Sequence, residues 1–156
     1  MEAHTLQARM PNPAFAVPDA MDALLALGKA LDAAGVPPIT RELVHIRASQ
    51  INGCGVCLVQ HPKFARKHGE TDERIWAIAG WRDAPYFDDA ERAALALAEA
   101  VTRLADHAGG VPEEIWEDAA AHYDEQQLGA LVLSIASVNL WNRLSVTTRQ
   151  VAGQEW

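Results

Sequence analysis

Cysteine is nearly absent. Cys54 and Cys57 are the only two in 156 residues, so no framework of structural disulfides is available, and a single C-x-x-C pair reads as a catalytic dithiol or part of a metal site. Long apolar runs are also missing. The opening stretch MEAHTLQARMPNPAFAVPDAM carries an early acid and three prolines but no continuous apolar core of the signal-peptide kind. The most apolar later segment, Leu128 to Trp141, is short and interrupted by Gly129, Ser134, Ser137 and Asn139, which excludes a membrane span. Basic residues are in deficit. The formal net charge of -8 repels nucleic acid and anionic lipid. Together these absences predict a soluble, cytoplasmic protein that binds neither nucleic acid nor membrane and whose partners are small molecules or other proteins.

No segment alternates with strand period, and the fold class expected is all-α. The length suits one core, which divides the chain into an irregular N-terminal arm, 1–18, and one helical domain, 19–150, of about six to seven helices. Asp19 is placed to open a first helix, with Met21, Leu24, Leu25, Leu27 and Leu31 at helical spacing before the breaker Gly35-Val36-Pro37-Pro38. Thr40 reads as the N-cap of a second, ending at Asn52-Gly53. Cys54 opens a third that runs to Lys67, with Pro62 inside it expected to kink or loosen the turn beside His61. Further helices are predicted over 71–79, from Asp88 or Asp89 to about Ala108, from Pro112 to Tyr123, and from Glu125 to about Thr147. The five tryptophans read first as core or interface anchors, with Trp81 and Tyr86, in the loop WRDAPYFD, as the alternative border of an access route. Asn139, Asn142 and Arg143, on an otherwise apolar last helix, predict buried hydrogen bonding across a subunit contact.

The polar residues of the second helix, Glu42, His45, Ser49 and Asn52, fall on one stripe. If helices two and three form an antiparallel hairpin about Gly53, positions whose numbers sum to about 106 oppose one another, since both helices rise ~1.5 Å per residue. Ser49 then faces Cys57, His45 faces His61, and Glu42 lies within a turn of His61. The stripe lines the thiols instead of solvent. A thiol with a pKa near ~8.5 is mostly protonated at neutral pH, whereas the thiolate is the nucleophile. An imidazole one turn from Cys57 can take that proton, a carboxylate can orient the imidazole, and helix-terminal amides favour the thiolate.

Glu42, Cys54, Cys57 and His61 fill the pattern E, x11, C-x2-C-x3-H. This pattern, with SQINGCGVC and WRDAPYFDDAERAALALAEAVT around it, resembles the alkylhydroperoxidase D-like branch of the carboxymuconolactone decarboxylase family over roughly Ile39 to Thr147. The resemblance implies an all-helical subunit in trimers or hexamers and a thiol-dependent peroxidase. Carried over by position, Cys57 is peroxidatic, Cys54 resolving, and Glu42 with His61 the proton relay; His45 and Ser49 join as supporting neighbours from the hairpin register alone. The substrate is then hydrogen peroxide or a small organic hydroperoxide, the reductant a protein dithiol or lipoyl-type partner, and neither an organic cofactor nor a metal is required. In the best-known peroxidase members a histidine precedes the second cysteine, where this chain has Val56. Competing readings are a zinc site using the thiols, His61 and either His45 or Glu42; a non-catalytic redox-sensing oligomer; and a lactone-decarboxylating lyase, whose chemistry does not call for a thiol pair.

Overall fold

A computed structural model describes residues 5–154, and every regular element among them is helical: α1 Pro13–Ala16, α2 Ala20–Asp32, α3 Pro38–Asn52, α4 Gly55–Lys67, α5 Asp72–Ala77, α6 Asp89–Thr102, α7 Glu113–His122 and α8 Glu125–Thr148. Short 3-10 turns follow α5 and α6. No helix among the described residues is long and apolar enough to cross a membrane. The first four residues of the predicted arm lie outside the described part. The rest holds the one turn of α1 and is tied to the end of α8, where Arg9 donates its backbone N–H to Thr148 O at 2.8 Å and Gln150 Nε2 donates to Met10 O at 2.8 Å.

Helix α3 is the element the others surround. It packs against α4, α6 and α8, and Leu43, Val44, Ile46 and Ala48 are almost fully buried. One apolar cluster joins Val44 to Leu97 of α6 and Leu131 and Ile135 of α8; a second joins Leu43 and Ile46 to Ile75, Ile78, Trp81, Phe87 and Leu95. Burying a side chain of this size contributes about 1.5–3 kcal/mol, so the helix carrying the polar stripe is also the most firmly held.

Several boundaries differ from the sequence reading for local reasons. Pro37 caps α3 and Pro38 begins it, because a fixed φ suits the first helical position, and Thr40 falls inside the first turn. Asp19 precedes α2 without making a side-chain cap. Helix α6 stops at Thr102, so Leu104 sits in a 3-10 turn and is exposed. Of the apolar positions read for α2, Leu31 alone is fully buried. Helices α6 and α8 begin with complete capping boxes, Asp88 with Glu91 and Asp124 with Gln127, each satisfying two otherwise unpaired amides. Helix α4 continues through Pro62 to Lys67.

Trp81 is a core anchor, as first read, and not the border of an access route. It is buried, and its indole N–H donates to Glu99 Oε1 at 2.9 Å. Arg47 and Arg82 each reach the same carboxylate at 2.8 Å. Burial raises the Glu99 pKa, but the bonds from Arg82, Trp81 and Arg47 prevail and bring it down to about 2. A carboxyl depressed in the folded state contributes stability above its unfolded pKa of about 4.5 and loses it as pH falls toward 2. Urea midpoints are therefore expected to fall across that window, and Glu99→Gln should flatten the fall. Glu99→Ala, which leaves the part-buried Arg47 charge with only the neutral Gln50 amide as partner, is expected to cost about 3 kcal/mol at neutral pH.

Candidate functional site

The site is a property of the α3–α4 hairpin. Gly53 ends α3 with φ 66° and ψ 34°, a left-handed conformation open to glycine at little cost, and the chain reverses there into α4. The backbone N–H of Cys54 donates to Ser49 O at 3.0 Å. Cys54 is the N-cap of α4, and its Sγ accepts the backbone N–H of Cys57 at 3.3 Å. The helix-terminal amide thus points at Cys54, whereas the sequence reading placed that help at Cys57.

Two of the expected pairings across the hairpin, Glu42 with His61 and His45 with His61, are found directly, and Ser49 and Cys57 share the Asn142 amide as a common partner. Glu42 Oε2 lies 2.8 Å from His61 Nδ1 and 3.7 Å from His45 Nδ1, and the two imidazole rings are 4.7 Å apart between centroids. Glu42 is buried. Burial pushes its carboxyl up, while the two imidazoles pull it further down, to about 2, so it is a carboxylate throughout the neutral range. Burial lowers the pKa of His45 in turn, which keeps that ring neutral. The longer Glu42–His45 contact is therefore not an ion pair at pH 7.

Cys54 and Cys57 are joined as a disulfide, with Cα atoms 5.4 Å apart, within the span a relaxed bridge requires. Both are buried, Cys54 at 0% exposure and Cys57 at 3%. Cys57 Sγ accepts a hydrogen bond from Asn142 Nδ2 at 3.1 Å, and the same amide donates to Ser49 Oγ at 3.0 Å. The amide is held in turn. Asn52 Nδ2 donates to Asn142 Oδ1 and to Asn139 Oδ1, both at 2.9 Å, and Arg143 donates to Asn139 Oδ1 at 2.9 Å. The buried bonding read for Asn139, Asn142 and Arg143 exists, but it is made within the chain and ends on a sulfur. Sequence alone could flag a buried asparagine on an apolar helix; its partner lies 85 positions away, beyond any local pattern.

Two cavities approach this centre and share no lining residue. One, of about 350 Å³, reaches His45 and His61 between Leu24 and Leu31 of α2 and Val138 and Trp141 of α8. The other, of about 210 Å³, reaches Cys54 and Gly55 past Ser145 and Gln150 at the end of α8. The arrangement can hold an ionised carboxylate against an imidazole, move a proton on that ring, and make or break one sulfur–sulfur bond.

The Carboxymuconolactone decarboxylase family profile matches residues 18–100. The uncharacterized protein YdfG of Bacillus subtilis is 38% identical over 129 residues, which cover 83% of this chain and 86% of that protein. Alkyl hydroperoxide reductase AhpD of Hyphomonas neptunium is 49% identical over a shorter stretch of 43 residues, 28% of this chain and 24% of that one. Among solved structures, a protein of unknown function from Agrobacterium tumefaciens, crystallised as a candidate antioxidant defence protein AhpD, superposes with a TM-score of 0.86 at 32% identity, over 96% of this chain and all of that one.

Proposed function

The chain belongs to the carboxymuconolactone decarboxylase family, in its alkylhydroperoxidase D-like branch, and from that premise we propose that it is a thiol-dependent peroxidase that reduces hydrogen peroxide or small organic hydroperoxides. The observation that carries the reading is the 2.8 Å contact between the buried Glu42 carboxylate and His61, one helical turn beyond Cys57. An ionised acid that fixes an imidazole beside a thiol is the arrangement that activates a nucleophile. Glu42 stays charged, so it orients the ring and opposes the charge that His61 acquires; His61 itself carries the proton.

In the first half-reaction Cys57 thiolate attacks the nearer peroxide oxygen, the O–O bond breaks, and the leaving alkoxide or hydroxide takes the proton held by His61. Cys57 becomes a sulfenic acid. The Cys54 thiol then attacks that sulfur, the S–O bond breaks, and the departing oxygen takes the proton that Cys54 gives up, so that water leaves as the disulfide forms. Two thiols and one hydroperoxide give one disulfide, one alcohol and one water. A protein dithiol or lipoyl-type reductant returns the pair to the reduced state. Stopped-flow mixing of reduced protein with several hydroperoxides, with disulfide formation followed by mass, tests the reading. Disulfide formation no faster than that of a free dithiol would overturn it.

Asn142 stabilises the attacking sulfur in this scheme. A hydrogen bond to a charged group contributes about 1.5–3 kcal/mol, and one pKa unit corresponds to about 1.4 kcal/mol. Asn142→Leu is therefore expected to move the pH midpoint of Cys57 alkylation up by about one unit, with Asn142→Asp moving it further. An unchanged midpoint in a folded variant removes Asn142 from the mechanism.

The burial of both sulfurs favours a second reading, a redox-sensing oligomer whose disulfide changes shape or partner. Negligible peroxide turnover beside a readily formed Cys54–Cys57 disulfide distinguishes it. The trimer or hexamer and the cytoplasmic setting are parts of the proposal that sedimentation and fractionation measure directly.

A further inference from the structure

Three donor atoms converge on the α3–α4 hairpin that also carries the thiols. Glu42, His45 and His61 each offer one ligand atom within 4.8 Å of the others, and both rings turn Nδ1 toward one carboxylate oxygen, His61 at 2.8 Å and His45 at 3.7 Å. His61 is satisfied at 2.8 Å, whereas His45 Nδ1 is buried without a hydrogen-bond partner. A proton resolves only half of this arrangement: shared between His61 and Glu42, it leaves the third atom facing Oε2 at 3.7 Å, beyond hydrogen-bond length. A cation that accepts a lone pair from each atom satisfies all three. We infer that Glu42, His45 and His61 form a binding site for a divalent first-row transition ion, zinc foremost, and that this ion and the relay proton are alternative occupants.

The donor set has the chemistry such an ion takes. Two imidazoles and a carboxylate bind zinc at about 2.0–2.2 Å in sites that leave a fourth position open, and donors around a tetrahedral centre of that size lie about 3.3 Å apart. The two carboxylate–imidazole separations of 2.8 and 3.7 Å bracket that spacing, and the set as a whole spans no more than 4.8 Å, so side-chain movements of about an ångström would close it on an ion. Both imidazoles line the 350 Å³ cavity, which gives the ion a route and the fourth position an outlet. The nearby cation, Arg41, is paired with Asp32. The cysteines play no part, which separates this site from zinc held by a dithiol.

Occupancy has a consequence that rests on the peroxidase reading. A metal on Nδ1 of His61 leaves the ring's remaining hydrogen on Nε2, so the ring has no lone pair to receive the Cys57 proton. Metal and peroxide turnover then oppose each other, and the ion is a reversible brake on the first half-reaction.

Cobalt(II), titrated into the disulfide form of the wild type and into Cys54→Ser/Cys57→Ser, tests the site without reference to activity. One ion per chain is expected in both, with the visible bands of a tetrahedral nitrogen–oxygen centre, no thiolate charge-transfer band, and displacement by zinc. Glu42→Gln and His45→Ala, checked for fold by circular dichroism, should weaken binding beyond the roughly 10–100-fold that loss of an outer partner produces. No cobalt uptake by the double cysteine variant, or equal uptake by folded His45→Ala, overturns the site, and the peroxidase reading survives either result. For the brake, one equivalent of zinc should slow oxidation of Cys57 in Cys54→Ser, and a chelator should restore it. Oxidation at an unchanged rate with zinc bound would overturn the alternative occupancy, while a metal-free wild type inert to peroxide would bear on the peroxidase reading alone.

Discussion

Cys57→Ser is expected to abolish peroxide consumption, while Cys54→Ser consumes one equivalent and stops. The serine hydroxyl is not ionised near neutral pH and presents no attacking anion, so the first half-reaction has no nucleophile without Cys57. Without Cys54 that step still runs, but the sulfenic acid has no neighbouring thiol with which to condense. Mass spectrometry after quenching with a sulfenate-trapping carbon acid should find the adduct on Cys57 of Cys54→Ser and no adduct on Cys54 of Cys57→Ser. The opposite pattern has a physical basis worth testing, because the α4 amide points at Cys54 Sγ and the Asn142 amide at Cys57 Sγ. A backbone amide at a helix start favours an anion through the helix dipole, whereas the side-chain amide belongs to a buried network stiffened by Arg143. If Cys54 carries the adduct, the assignment of the two sulfurs is reversed and the relay acts on the resolving step.

Glu42→Gln should slow oxidation of Cys57 by about 10²–10³, within the range that positioned acid–base groups supply, and His61→Ala should slow it by a similar factor. Glutamine keeps the shape of the side chain and removes its charge. The loss therefore isolates what a buried carboxylate held near pKa 2 does for the ring beside it. If the two act as one unit, the double variant should be little slower than either single variant. Stopped-flow rates for the four proteins make the comparison, and multiplicative losses in the double variant would mean that Glu42 and His61 work separately. Because Glu42 remains ionised down to about pH 2, the Glu42→Gln defect should persist across the whole range in which the protein is folded.

Much of this centre could be read from the chain before its coordinates, and the reason is its locality. Glu42, His45, Ser49, Cys54, Cys57 and His61 all lie on one hairpin, and two antiparallel helices with a fixed rise and a known turn oppose predictable positions. The contact of His45 with His61 and of Glu42 with His61 follows from counting outward from Gly53. What counting cannot reach is a partner brought from elsewhere in the chain. Asn142 stands out as a polar residue on an apolar helix, yet nothing within a few residues of it announces Cys57. Glu99 was missed for a similar reason: a lone acid on the inner face of α6 reads as an ordinary helix residue until Arg47, Trp81 and Arg82 arrive from three other places. The helix ends that shifted, at Pro37 and Thr102, turn on local balances of about one kcal/mol between neighbouring caps.

The absence of a shared wall between the two cavities bears on how the proposed cycle would run under load. In the proposed peroxidase cycle, an oxidant entering by the cavity at the imidazoles and a reductant entering by the one at Cys54 would use different doors. Crowding at one should leave the other passable. In steady-state work that gives parallel double-reciprocal lines that stay parallel at high concentrations of either reagent, without the upturn produced when two substrates contend for a single mouth.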